Sequence, residues 1–185
     1  MAVINDEPTL SVGMAVVNDF QGMMFTAMSL RMQALQELSN PLEIIIVENQ
    51  NTKKPCVMTQ EFCAKAGFVY KHLTERYGTS APRDEVFKLA TGKVVACADS
   101  HILTAPGTLK SIVNYYRKEP ASLDMVQGPI VGEDGGLLGT HWAPKWRAGM
   151  FGTWESNHAA MKLNKPFEIP LMGLGLFAMR KAAWP

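Results

Sequence analysis

The chain has no charge of one sign in excess: 18 Lys and Arg stand against 17 Asp and Glu in 185 residues, a formal net charge of +1. That balance excludes the strong positive field of a dedicated nucleic-acid binder, and 47% hydrophobic residues exclude a disordered chain. Cysteine is scarce and odd in number. Cys56, Cys63 and Cys97 do not make a disulfide framework, and Cys97 lies in an apolar run as a small hydrophobe, so a reducing, cytoplasmic setting is expected. No apolar run reaches the ~18 to 20 residues of a transmembrane helix, and the N-terminus does not read as a cleaved leader. Internal repeats, low-complexity tracts and charge runs are also missing. What remains is a length that suits one domain over residues 1–185, able to bury its core without disulfides or a structural metal. The residues before Thr9 read as a short unstructured lead.

The patterned segments alternate. Leu10 to Val17 reads as a strand, with Asn18-Asp19 offering an N-cap to a helix on which Met23, Ala27, Leu30, Ala34 and Leu38 recur at helical spacing up to Asn40-Pro41. Leu42 to Val47 is a second strand with β-branched residues on both faces, as in a parallel sheet covered by helices, and Glu48-Asn49 emerges at its end. A helix from about Pro55 to Ala66 closes at Gly67, Phe68 to Leu73 is a third strand, and Ser80-Ala81-Pro82 opens another helix that ends before Gly92. Lys93 to Ala98 is the fourth strand, Pro106 to Lys118 a helix, and Asp124 to Val131 a fifth strand running into the turn 132–136. From Leu137 to Pro166 no clean period survives, and three Trp residues sit in what reads as a long functional loop. Phe167 to Met179 adds a strand, and a helix begins at Arg180. The expected class is α/β, a mostly parallel, Rossmann-like sheet flanked by helices.

In such a sheet, ligands bind outside the carboxyl ends of the strands. Those ends carry Asn18 and Asp19, Glu48 and Asn49, and Asp99 with His101. Read with the strand period of two, Asp99 and His101 project to one side and Ser100 away, so a carboxylate and an imidazole would hold Mn²⁺ or Mg²⁺ between them, with diphosphate oxygens completing the shell. Glu48 and Asn18 suit a base or ribose. Arg83-Asp84, in the first turn of a helix, would contact phosphate or orient Asp99. Trp142, Trp146 and Trp154 offer flat faces for a sugar or base, or anchor their loop to the core. His141 and His158 read first as exposed loop residues, with His158 a candidate third metal ligand and Glu155 a candidate catalytic residue. His72 reads as structural.

The order of these elements resembles the GT-A fold glycosyltransferases of the broad family 2 class. It is carried by 10–18 as opening strand, 43–49 as second strand, Ala81-Pro82-Arg83-Asp84, Ala90-Thr91-Gly92 and Asp99-Ser100-His101. The Asp-x-His form is similar to that of the polypeptide N-acetylgalactosaminyltransferases, and Met172-Gly173-Leu174-Gly175-Leu176-Phe177 looks like their Gly-Gly-Leu-Phe stretch beside the sugar. The resemblance implies that Ala15, Val16, Asn18 and Glu48 hold uridine, that Arg83, Asp84 and Ser100 contact the donor, and that Asp99 and His101 meet the metal and diphosphate. Gly173, with Trp154, falls on the sugar and acceptor side. Glu48 stands where an Asp is usual, and the resemblance leads us to expect that the family's later segment, bearing a base or a further metal-ligand His, is shortened or missing.

The expected activity is metal-dependent transfer of a hexosyl or N-acetylhexosaminyl group from a UDP-sugar to a glycan, protein or small-molecule acceptor, in a chain that can form a homo-oligomer. The alternative is a catalytically incomplete nucleotide-sugar binding domain that needs a partner. A nucleotidyltransferase is disfavoured because 18–21 lack a glycine-rich, basic phosphate loop.

Overall fold

A computed structural model describes residues 9–50, 54–75, 78–132, 134–163 and 165–185, so the expected lead before Thr9, and Glu133 of the expected turn 132–136, lie outside the described residues. The elements, in chain order, are β1 Leu10–Val16, α1 Phe20–Glu37, β2 Glu43–Asn49, α2 Val57–Ala66, β3 Val69–Leu73, α3 Ser80–Leu89, β4 Val94–Asp99, α4 Thr108–Lys118, β5 Val126–Gln127, β6 Ile130–Val131, β7 Leu137–Gly139, β8 His141–Arg147, β9 Met150–Glu155, α5 His158–Met161, β10 Leu176–Arg180 and a final 3₁₀ turn Lys181–Ala183. They fall into two compact units, one running to Val126 and resuming at Gly175, the other spanning Gln127–Leu174.

The first unit holds a six-stranded sheet in the order β3-β2-β1-β4-β10-β5. β1 pairs in parallel with β2 and β4, β2 with β3, and β10 runs antiparallel to β4. The expected α/β class with a mostly parallel sheet is what the chain adopts. Ile44 to Val47 are all buried, as apolar residues on both faces of one strand require. On one face Val12, Met14, Val16, Ile44, Ile46, Val94 and Ala96 pack with Met23, Ala27, Leu30 and Ala34 of α1 and with Leu109, Val113 and Tyr116 of α4. On the other face α3 comes so close that a Cβ on Gly13 would collide with Val86. Trp184, after the last turn, stacks on Phe87 of α3 with ring centroids 4.0 Å apart and planes 8° from parallel.

The three cysteines are unbridged, and burial pushes the Cys63 thiol up to about 11 and that of Cys97 to about 12, so both behave as apolar filler. Among the described residues no helix is long and apolar enough to cross a membrane.

Several expectations fail in the second half. The strand expected from Phe167 begins only at Leu176, after Pro170 and two glycines, and the helix expected at Arg180 is the 3₁₀ turn Lys181–Ala183. The segment read as a fifth strand splits into β5 and β6, because Gly128-Pro129 interrupts it. The long loop is instead largely a hairpin of β8 and β9 joined by Ala148-Gly149, both at positive φ (49° and 78°), the backbone of a tight hairpin turn. Its period was hidden by a bulge. Between the pairs Ala143–Thr153 and Trp146–Phe151, Pro144 and Lys145 oppose the single residue Gly152, which reverses the in-out alternation.

Candidate functional site

The chain lays β2 and β3 to one side of β1 and then places β4 on the other, so the strand order reverses between β1 and β4. A crevice at the carboxyl ends of strands belongs at such a point. Register puts Ala15 between Val47 and Asp99, and Val16 beside Glu48, at that edge.

Two residues close the junction. Asp19, leaving β1 through Asn18 at φ 50°, caps α1 by accepting from the Gly22 amide at 3.1 Å. Its other oxygen accepts from the Ser100 hydroxyl at 2.7 Å and lies 3.3 Å from His101 Nδ1. The Ser100 hydrogen bond holds the Asp19 carboxyl below the usual range against a smaller opposing effect of burial, with Gly22 and His101 adding to the depression. From the helix side, buried Thr26 donates to the Ile102 carbonyl at 2.8 Å, with that of Ser100 at 3.1 Å, and accepts from the Ile102 amide. The turn after β4 is therefore pinned by α1.

This overturns the strand-period reading of Asp99 and His101. β4 stops at Asp99, and Ser100 and His101 lie in the pinned turn, where Ser100 is drawn inward and His101 stays exposed beside Asp19. Asp99 faces Arg83 instead, Nη2 to Oδ1 at 3.3 Å, and its amide donates to the Gly175 carbonyl at 2.8 Å. Asp84 turns away from that pair: its carboxylate accepts from Trp184 Nε1 at 2.9 Å and meets Lys88 at 2.5 Å. Asp84 thus fastens the last turn to α3. Among the described residues no three His, Cys, Asp or Glu side chains gather as a metal-binding group.

Glu48 is fully buried. Both of its oxygens accept from the Cys56 amide at 3.1 Å, Tyr70 donates its hydroxyl, and His72 Nδ1 lies 3.4 Å away. Burial and the bond to Glu48 raise the Tyr70 hydroxyl far above its ordinary range. In this arrangement the carboxylate is enclosed by its own chain, and it fixes the entry to α2.

The remaining expected residues belong to the second unit. Trp142 and Trp154 meet edge to face across the hairpin, 5.8 Å between centroids, and the Trp154 indole lies against Gly139 and Gly173, where a Cβ would run into it. Glu155 pairs with Lys145, whose hydrogen bond lowers its carboxyl. His158 opens α5 and is exposed.

The sequence places Asp19 at the ligand edge and as a helix cap but does not reveal its bonds to Ser100 and His101, and it misses Thr26. Asp19 follows a strand as a site residue should. Thr26 gave no signal, since a lone Thr on a buried helix face has no pattern of its own.

Residues 11–184 match the family described as Glycosyl transferase family 2. No curated protein matches the chain. Among solved structures it is similar to S. aureus TarS 1-349, with a TM-score of 0.55 and 19% identity over 75% of this chain and 41% of that one. A second structure of S. aureus TarS gives a TM-score of 0.48 and 20% identity over 60% of this chain and 20% of that one. The chain spans less than half the length of either, and the first likeness shows a shared GT-A fold.

Proposed function

The chain belongs to glycosyl transferase family 2, and on that premise we propose that the crevice between β1 and β4 binds a nucleotide-diphosphate sugar, a UDP-sugar, and transfers its hexosyl or N-acetylhexosaminyl group to an acceptor hydroxyl. The observation that carries this reading is the clasp of Asp19 on Ser100 and His101 at the strand-order switch, with the Arg83–Asp99 pair alongside. Ala15 and Asn18 stand at the β1 end, where a uridine would lie, and Val16 between them supports that end from the core. Glu48 would act from beneath by fixing that edge. Arg83, one turn into α3, suits a phosphate oxygen.

Asp99 and His101, 41% and 72% exposed and engaged by Arg83 and Asp19 in turn, are the carboxylate and imidazole that would have to leave those partners to hold Mn²⁺ or Mg²⁺. With no third protein ligand gathered among the described residues, diphosphate oxygens and water would fill the other positions. Such a cation supplies neutralisation of the departing diphosphate. Trp154 over Gly173 suits the sugar or acceptor side, and three unbridged cysteines favour a cytoplasmic setting.

Titration of UDP into the protein with and without Mn²⁺ tests this directly. Binding should weaken at least about tenfold without metal, and similarly in Asp99→Ala or His101→Ala. Equal affinity with and without the cation would sink the metal assignment.

A second reading is favoured by Glu155. Its carboxylate is taken up in an ion pair with Lys145, which leaves this candidate base engaged within its own hairpin and suits a nucleotide-sugar binding domain without turnover. Release of UDP from UDP-sugars by the purified chain, with a GDP, CDP and dTDP panel for the base, separates the two.

A further inference from the structure

Helix α1 buries Met23, Ala27, Leu30 and Ala34 and presents a second apolar stripe to the outside. Phe25, Met28, Met32 and Leu35 are 65%, 37%, 62% and 81% exposed. They follow one another in steps of three, four and three residues, the spacing of a helix-pairing seam. Charge is missing from this face. The helix carries only Arg31 and Glu37: the Arg31 guanidinium bonds the Ala66 carbonyl and lies over the Phe68 ring, and the Glu37 carboxylate accepts from the amides of Gly107 and Lys110. An apolar row of this kind on an 18-residue surface helix calls for a partner.

We infer that the partner is a second copy of this chain, with the two α1 helices antiparallel about a two-fold axis. The stripe has the symmetry this demands. Phe25 and Leu35 stand five residues either side of position 30, and Met28 and Met32 two residues either side, so an axis at that height pairs Phe25 with Leu35 and Met28 with Met32, each in both directions. An interface in which residue i meets j and j meets i is the closed, isologous kind. Self-pairing brings no like charges together, because both charges of the helix are engaged within their own unit. An anionic lipid surface fits less well, since it selects Lys and Arg flanking the apolar face. The stripe is about 15 Å long, which puts the contact at the small end of protein interfaces and makes the association weak.

Sedimentation equilibrium of the intact chain across micromolar concentrations, with far-ultraviolet circular dichroism and thermal melting as folding controls, tests the inference. The wild-type mass should climb from 20.4 kDa toward twice that value. Phe25→Lys or Leu35→Glu alone sets a charge against an apolar partner and should weaken association at least about tenfold, with the melting unchanged because both positions are exposed. The two changes together set opposite charges against each other in the antiparallel pair and should restore dimers. Ten residues separate these positions on one helix, so no bridge within the helix can mimic the rescue. A wild-type chain that stays monomeric overturns the inference, as does undiminished dimerisation of either single variant, and failure of the double variant overturns the antiparallel register. Binding of a monomeric chain to neutral lipid vesicles, lost in Leu35→Glu, would assign the stripe to a bilayer instead.

Discussion

Asp19 Oδ2 accepts a hydrogen bond from the Ser100 hydroxyl at 2.7 Å, joining the residue that starts α1 to the turn that follows β4. One carboxylate thus caps a helix through Oδ1 and holds the turn after β4 through Oδ2. The two duties can be separated.

Asp19→Asn keeps a good cap but replaces Oδ2 by an amide group, which reverses the bond to Ser100 and removes the anion beside His101. We expect a stability loss below about 1 kcal/mol, with weakened nucleotide binding. Asp19→Ala loses cap and clasp together and should cost about 2 kcal/mol. Urea unfolding of both variants checks the pair, and equal losses would show that the cap contributes nothing.

Acid should act through Glu43. Burial pushes its carboxyl up, but hydrogen bonds from the Ser11 hydroxyl and from the Thr91 amide and hydroxyl outweigh this and leave it below its ordinary value of 4.5. A carboxyl lowered in the folded state binds protons more weakly there than in the unfolded chain. Its contribution is complete above the ordinary value and is lost as pH falls through the lowered one. Urea midpoints of wild type should fall on acidification below about pH 4.5, and those of Glu43→Gln should fall less. Parallel curves would remove Glu43 from the acid response.

The parts of the fold that were legible in the sequence are those where burial repeats at a fixed period. Ile44 to Val47 and the Met23, Ala27, Leu30, Ala34 row could be read because each residue type reflects its own burial. The β8–β9 hairpin could not, because one extra residue opposite Gly152 reverses the alternation and Pro144 sits within the strand. The candidate site divides in the same way. Strand order placed Asp19, Glu48 and Asp99 at one edge, but their partners depend on contacts between distant segments. Thr26 pins the Ser100 turn, Tyr70 and the Cys56 amide enclose Glu48, and Trp184 takes up Asp84.

That last contact gives a third prediction. Trp184 stacks on Phe87 and donates to Asp84, so Trp184→Phe should keep most of the stack and lose about 1 kcal/mol, whereas Trp184→Ala should lose about 2 to 3 kcal/mol. Thermal melts rank the two. A neutral Trp184→Ala would mean that the last turn does not contribute to the stability of α3.

In the second unit, Gly149 and Gly173 are both glycine for reasons that substitution can tell apart. Gly149 has open space around it but lies at φ 78° in the hairpin turn, so Gly149→Ala meets only backbone strain, about 1 kcal/mol, and leaves the indoles undisturbed. At Gly173 the obstacle is the Trp154 ring itself. Gly173→Ala must displace that indole, with a cost of about 1 to 3 kcal/mol and a changed near-ultraviolet circular dichroism from the Trp142–Trp154 pair. If the sugar lies on this face, the same substitution weakens UDP-sugar binding while leaving UDP binding intact. Matched titrations of UDP and a UDP-sugar read that difference, and an equal loss for both ligands would take Trp154 away from the sugar.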